Sequence, residues 1–174
     1  MIALGVDPGV WATGYGVVDD GREGGGPTLI ECGTIRPRSR NPLAERLLEI
    51  FEGLGQVIER SRPDVVCVEG VFYGQNVRTT VVLGHARGAV LLAAAARGVP
   101  VFEYPPAEIK SAVVGSGSAR KRQVAFMVQK HLSLAEPPEP SDAADGVAVA
   151  LCHLLRERLT RGGARAGGVG RNLP

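Results

Sequence analysis

The sequence predicts an α/β protein built on one five-stranded mixed sheet with helices on both faces. Its N-terminal part has three short runs of β-forming residues separated by turn residues, which is typical of an antiparallel meander. The part that follows alternates helical periodicity with buried β-forming runs, as parallel strands joined by helices do. A hydrophobic share of 44% in 174 residues is enough for the core of one domain.

Two of the predicted strands end at an acidic residue. The meander is predicted over residues 2–7, 13–18 and 28–35, and two parallel strands over residues 65–68 and 99–104. Asp7 ends the first strand, where Pro8 and Gly9 form a turn, and Glu69 follows the fourth strand. A carboxylate beside a core strand is costly to bury without a partner. By itself, however, Asp7 is equally well interpreted as a turn residue that caps its own backbone.

Five helices are predicted from periodicity and capping residues, over residues 43–58, 77–96, 109–114, 119–132 and from residue 141 onward. Asn41 is the expected N-cap of the first helix, with Pro42 at its first position, and Ser141 is the expected N-cap of the last. The long second helix is rich in small residues and is a candidate for a subunit contact. We predict one domain over residues 1–160 and a disordered Gly/Arg-rich tail over residues 161–174.

Cysteine use and hydropathy indicate a cytoplasmic protein with no membrane segment. Cys32, Cys67 and Cys152 are odd in number and lack the spacing of metal ligands, which favours a reducing compartment. No stretch approaches the ~20 apolar residues of a membrane span. The N-terminal residues lack the basic region and cleavage site of a secretion signal.

Positive charge is concentrated in two segments, residues 106–131 and 156–174. Each contains five basic residues and one acidic residue, so the rest of the chain is acidic, since the whole carries a net charge of only +2. Basic helix faces are often merely solvated, but this distribution also suits a polyanionic partner.

Four acids together suggest a metal site. Asp142 and Asp145 are three residues apart at the start of the last helix, which places both carboxylates on one face. Either acid taken alone is explained by the helix dipole, which favours negative charge at the start of a helix. If they converge with Asp7 and Glu69, their repulsion requires a cation, and an all-oxygen set favours Mg²⁺ or Mn²⁺. Such sites catalyse phosphoryl transfer, commonly with two ions about 4 Å apart.

The chain resembles the RuvC Holliday junction resolvases from residue 2 to about residue 159. The motifs that carry the resemblance surround the four acids and the basic segment, namely Ala3–Gly9 with Thr13–Gly16, Val68–Asn76, Leu83–Gly88, Glu103–Val124 and Ser141–His153. The resemblance implies an RNase H-like fold and a homodimer. It also implies Mg²⁺-dependent, paired nicking of two strands of a four-way DNA junction that leaves 5′-phosphate ends, in concert with the RuvA and RuvB branch-migration proteins.

The resemblance also assigns site residues. The catalytic and metal-binding acids match Asp7, Glu69, Asp142 and Asp145, and the metal is Mg²⁺, replaceable by Mn²⁺, with two ions expected per subunit. The expected DNA-binding residues are Phe72, Tyr73, Asn76, Lys110, Arg120 and Lys121. Phe72 follows a strand that ends in an acid, so it could stack on a base unpaired at the crossover.

Three other interpretations remain open at this point. One is a different RNase H-like nuclease, for example one that acts on RNA–DNA hybrids. Another is a junction-binding protein without catalysis, although all four acids are present. The third is an ATP-binding enzyme of the actin and sugar-kinase type, whose phosphate loop resembles Asp7–Gly9. That fold normally needs two such domains.

Overall fold

The computed structural model describes residues 1–21, 25–70 and 77–166. Within them, the chain forms five strands and five helices. The strands are β1 (Ile2–Asp7), β2 (Thr13–Asp19), β3 (Thr28–Ile35), β4 (Val65–Glu69) and β5 (Val101–Tyr104). The helices are α1 (Leu43–Ser61), α2 (Val77–Ala95), α3 (Pro106–Val114), α4 (Lys121–His131) and α5 (Ser141–Ala166).

The strands form one mixed sheet in the order β3-β2-β1-β4-β5. β1, β2 and β3 pair antiparallel, whereas β4 pairs parallel to both β1 and β5. The predicted five-stranded mixed sheet is therefore confirmed. Its central strand, β1, is flanked on both sides, which explains why Ala3, Leu4 and Val6 are fully buried.

Helices cover both faces of the sheet, as predicted. One core joins α1 and α2 to one face, where Leu4, Val66 and Leu54 pack together. The other core joins α3, α4 and α5 to the opposite face, where Ala3, Cys67 and Leu151 pack together. Among the described residues, none of the helices combines the length and the apolar character needed to cross a membrane.

Glycines let α5 lie directly on β1 and β2. A Cβ atom at Gly14 would come within 1.8 Å of the Asp142 carbonyl oxygen, and one at Gly146 would come within 2.5 Å of the Tyr15 Cα atom. Atoms cannot approach that closely, so any side chain at either position would push the helix away. This contact fixes the beginning of α5 against the strand that follows the Asp7 turn.

Two helix caps differ from the prediction. Pro42 occupies the N-cap position of α1, and Asn41 instead donates from its side-chain nitrogen to Glu49 over 2.7 Å. Ser141 is the first residue of α5 rather than its cap, because the amides of Ala143 and Ala144 donate to the Pro140 carbonyl. In both cases a proline just outside the helix supplies the first carbonyl acceptor, a role that needs no side chain.

Other boundaries shift as well, notably those of α3 and α5. α3 begins at Pro106, three residues before the predicted start, because proline is well suited to the first helical position. α5 continues to Ala166, past the boundary predicted at residue 160. Residues 167–174 lie outside the described part, so disorder of the tail stays a prediction.

Candidate active site

Asp7 and Glu69 are brought side by side by the parallel pairing of β1 and β4. Val6 is in register with Val68, so the next residue of each strand, the acid, emerges at the same edge of the sheet. The two carboxyl groups share a hydrogen bond. The predicted convergence of these two strand ends is therefore confirmed by the register.

A cavity of about 390 Å³ opens beside these two acids. Its charged lining consists of Asp7, Glu69, Asp145, Lys110 and Lys121. Its apolar wall comes from α3, α4 and α5 and from one residue of α2, and includes Ile109, Val124, Ala148 and Leu83. Three acids and two lysines thus face one concave space, and such convergent titratable groups mark a candidate active site.

Burial and neighbouring acids raise the pKa of both strand acids. The pKa of Asp7 is raised to about 6, first by burial and then by Asp145, while a hydrogen bond from Glu69 opposes the rise. The pKa of Glu69 is raised to about 8 by burial and by the charge of Asp7. At neutral pH the pair therefore retains a proton, which Glu69 donates to Asp7.

The two helix acids are neutralised in a different way, by basic side chains from other elements. The Lys121 ammonium donates to Asp145 over 2.6 Å, and this contact raises the lysine pKa. The Arg36 guanidinium lies 3.3 Å from the Asp142 carboxylate. Asp142 does not line the cavity, although it is near enough to raise the pKa of Asp7.

The donor chemistry of the cavity fits a hard cation. Asp7, Glu69 and Asp145 supply carboxylate oxygens, and the raised pKa values of the strand acids indicate negative charge that a cation would compensate. Within the described ranges, however, no three acidic, histidine or cysteine side chains already stand around one point in a metal-binding arrangement. The Lys121 ammonium already contacts the Asp145 carboxylate, so an ion bound at Asp145 would compete with this contact.

The predicted DNA-binding residues fall into three groups. Lys110 and Lys121 line the cavity, as expected for residues that meet a phosphate near the acids. Arg120 is exposed at the N-cap of α4, where its amide donates to Gln123. Phe72, Tyr73 and Asn76 lie outside the described residues.

Sequence reasoning missed the Arg36 contact with Asp142 and the exposed Trp11 near Asp7. Arg36 lies in the basic link after β3, where charge alone did not distinguish it from its neighbours. Trp11 is the single tryptophan of the chain, and 61% of its surface is exposed. Its position four residues after a strand-end acid was the signal that could have drawn attention to it.

Comparison with known proteins identifies the family. The family model described as crossover junction endodeoxyribonuclease RuvC matches residues 3–153. The chain belongs to the RuvC family. The crossover junction endodeoxyribonuclease RuvC of Chloroflexus aggregans is 48% identical over 153 residues, which cover 88% of this chain and 92% of the relative. The corresponding protein of a Parafrankia species is 49% identical over 156 residues, which cover 90% and 87% of the two chains.

Solved structures agree with this assignment. The Thermus thermophilus RuvC structure superposes with a TM-score of 0.83 at 37% identity and covers 92% of this chain and 97% of that one. The T. thermophilus RuvC structure in complex with Holliday junction substrate gives a TM-score of 0.81 at 35% identity, with 91% and 96% covered. The likeness to the yeast mitochondrial resolvase Ydc2, at 13% identity, is evidence for the fold alone. The predicted RNase H-like fold and enzyme class of this RuvC-family chain are confirmed.

Proposed function

We propose that this chain resolves Holliday junctions in recombination and DNA repair by nicking two symmetry-related strands, and that its catalytic centre is the cavity beside Asp7 and Glu69. The observation that carries the proposal is the register of β1 and β4, which places two half-buried carboxylates together next to two lysines. Family membership supplies the substrate class. The T. thermophilus relative was solved with Holliday junction substrate.

In this proposal Asp7 and Glu69 bind the cation, and Asp145 joins them when Lys121 leaves it. The cation is Mg²⁺, replaceable by Mn²⁺, with two ions per subunit. When bound, the metal supplies a nucleophilic hydroxide and stabilises the leaving oxygen. The reaction leaves 5′-phosphate ends. The proton shared by the strand acids must depart first, because only ionised carboxylates bind a hard cation well.

Lys110 and Lys121 position and neutralise the scissile phosphate. Both line the cavity with the acids, and their charges lower the pKa values of Glu69 and Asp7, respectively. Lys121 then exchanges one anionic partner, Asp145, for another, the phosphate. Phe72, Tyr73, Asn76 and Arg120 are proposed to contact the DNA around the crossover, and Asp142 to complete the acidic set.

A homodimer supplies the second active site. A junction with two-fold symmetry that is cut at two equivalent phosphates calls for two equivalent sites. Support comes from α2, where Val81 and Leu92 are large apolar side chains with more than half of their surface exposed. A Cβ atom at Gly84 or Gly88 would have nothing within 4 Å, so this helix leaves room for a neighbouring subunit.

RuvA and RuvB are the proposed protein partners, and the cytoplasm is the proposed compartment.

The test is cleavage of a synthetic four-way junction and of a linear duplex of the same sequence, each with Mg²⁺ and with EDTA. We expect paired nicks only in the junction with Mg²⁺. Asp7→Asn should abolish them and still bind the junction, because removal of a central metal ligand leaves the DNA contacts intact. Glu52→Gln, an exposed acid on α1 outside the cavity, is the control and should cleave normally. Full cleavage by Asp7→Asn would contradict the assignment of the site.

A further inference from the structure

The turn between β1 and β2 is a rigid support for Trp11. The Thr13 hydroxyl accepts from the Gly9 amide over 3.2 Å and donates to the Gly9 carbonyl over 2.8 Å, which closes the turn. Thr13 is fully buried and Val10 nearly so, so both ends of the turn are anchored in the protein. Trp11 projects between these anchors into solvent, four residues after Asp7.

The Arg46 guanidinium stacks on Trp11, with its central carbon 4.1 Å from the centre of the indole ring. The Nε and Nη1 atoms of Arg46 are buried and have no hydrogen-bond partner among the described residues. Within the same residues, Arg46 forms no ion pair with a carboxylate. The stack therefore holds a positive charge that the described part of the protein does not neutralise, and it fixes the orientation of the indole.

The link that leads into α1, the helix that carries Arg46, is basic and reaches the catalytic acids. The link from β3 to α1 carries Arg36, Arg38 and Arg40, all of them exposed. Arg36 contacts Asp142, which places the start of this link at the acids. The Glu49 carboxylate accepts hydrogen bonds from the Arg38 amide and from the Asn41 side chain. It therefore does not neutralise the arginine side chains of the link.

We propose that Trp11 and Arg46 form a DNA-contacting platform, in which the indole stacks on an exposed base of the junction and the neighbouring arginines bind phosphates. Exposed aromatic rings combined with arginines are the features that bind unpaired bases and their backbone. A surface that only recognised a protein would not need this positive charge beside a site for phosphodiester cleavage. The inference rests on the proposed function and adds a second contact region to the residues predicted from the sequence.

Because Trp11 is the only tryptophan, its fluorescence reports on this platform directly. The protein is titrated with a four-way junction in EDTA, and the anisotropy of a dye at the end of one arm measures binding independently. We expect tryptophan emission to fall and its quenching by acrylamide to weaken as the junction binds. Unchanged emission and quenching at full anisotropy would overturn the platform alone. No anisotropy change would overturn the proposed function together with the platform.

Substitution gives a second readout. Trp11→Ala should weaken junction binding about tenfold, and Trp11→Phe should retain most of the affinity, because stacking of one base contributes about 1–3 kcal/mol. Leu48→Ala is the matched control, since Leu48 is also a large exposed apolar residue but lies two positions from Arg46 on another side of α1. Equal affinities of Trp11→Ala and the control would overturn the proposal.

Discussion

The two strand acids and the two helix acids have the same chemistry but opposite electrostatic surroundings. Asp7 and Glu69 are largely buried, share a proton, and have raised pKa values. Asp142 and Asp145 each contact a basic side chain, Arg36 and Lys121 respectively. Basic side chains therefore compensate the charge of the strand pair only in part, whereas each helix acid already forms an ion pair.

This difference indicates at which acids the binding of a cation is most favourable. A cation bound at the strand acids would offset the cost of burying their charges and the effect of the Asp7 charge on Glu69. Binding at a helix acid, in contrast, first breaks an existing ion pair. We therefore propose the strand acids as the main ligands and Asp142, which lies outside the cavity, as a supporting residue.

The largest expected difference between the two pairs is in cleavage. Glu69→Gln should reduce junction cleavage about 10³-fold, comparable to the loss of a group that stabilises the transition state directly. Asp142→Asn should reduce it only about 10- to 100-fold, as is usual for a residue that acts through the ligands around a metal. Single-turnover cleavage with saturating Mg²⁺ measures both. A larger loss in Asp142→Asn would invert the ranking.

A smaller effect is expected on stability without metal. The folded-state pKa values of Asp7 and Glu69, about 6 and about 8, exceed their ordinary values of 3.8 and 4.5, so the folded protein binds more protons than the unfolded chain between about pH 4 and 8. Stability must therefore fall as pH rises through this window. Melting in EDTA at pH 6 and pH 8 should show the higher Tm at pH 6.

Two variants sharpen this measurement. Glu69→Gln should raise Tm at pH 8 by about 3 °C, since it removes charge repulsion worth roughly 1 kcal/mol. Asp142→Asn should leave Tm nearly unchanged, because the Arg36 side chain is 59% exposed and such surface ion pairs contribute little. A fall in Tm for Glu69→Gln at pH 8 would show that the strand pair is not repulsive.

The five-stranded mixed sheet and the positions of the strand acids could be predicted from the sequence because they depend on local signals. The β-forming runs that end at Asp7 and Glu69 are continuous, and parallel pairing then places both acids at one edge. The motifs of the RuvC family added the helix acids and the lysines. These signals together led to the candidate site and to the family that the comparisons show.

The remaining features depend on contacts between distant residues. The partners of the helix acids and the stacking of Arg46 on Trp11 join elements far apart in the chain, which periodicity does not encode. The two helix caps were wrong for a local reason: Pro42 and Pro140 replace the side-chain caps expected at Asn41 and Ser141. α5 continues to Ala166 although it contains glycine, a residue with low helix propensity.

The most direct test of the ranking is the affinity of the DNA-free protein for Mn²⁺, measured by calorimetry at pH 6 and pH 8. In the wild type we expect tighter binding at pH 8, because the proton shared by Asp7 and Glu69 competes with the ion. Glu69→Gln should lose most of the affinity, and Asp142→Asn should retain both the affinity and its pH dependence. Equal weakening by the two substitutions, or wild-type affinity that does not change with pH, would contradict the account.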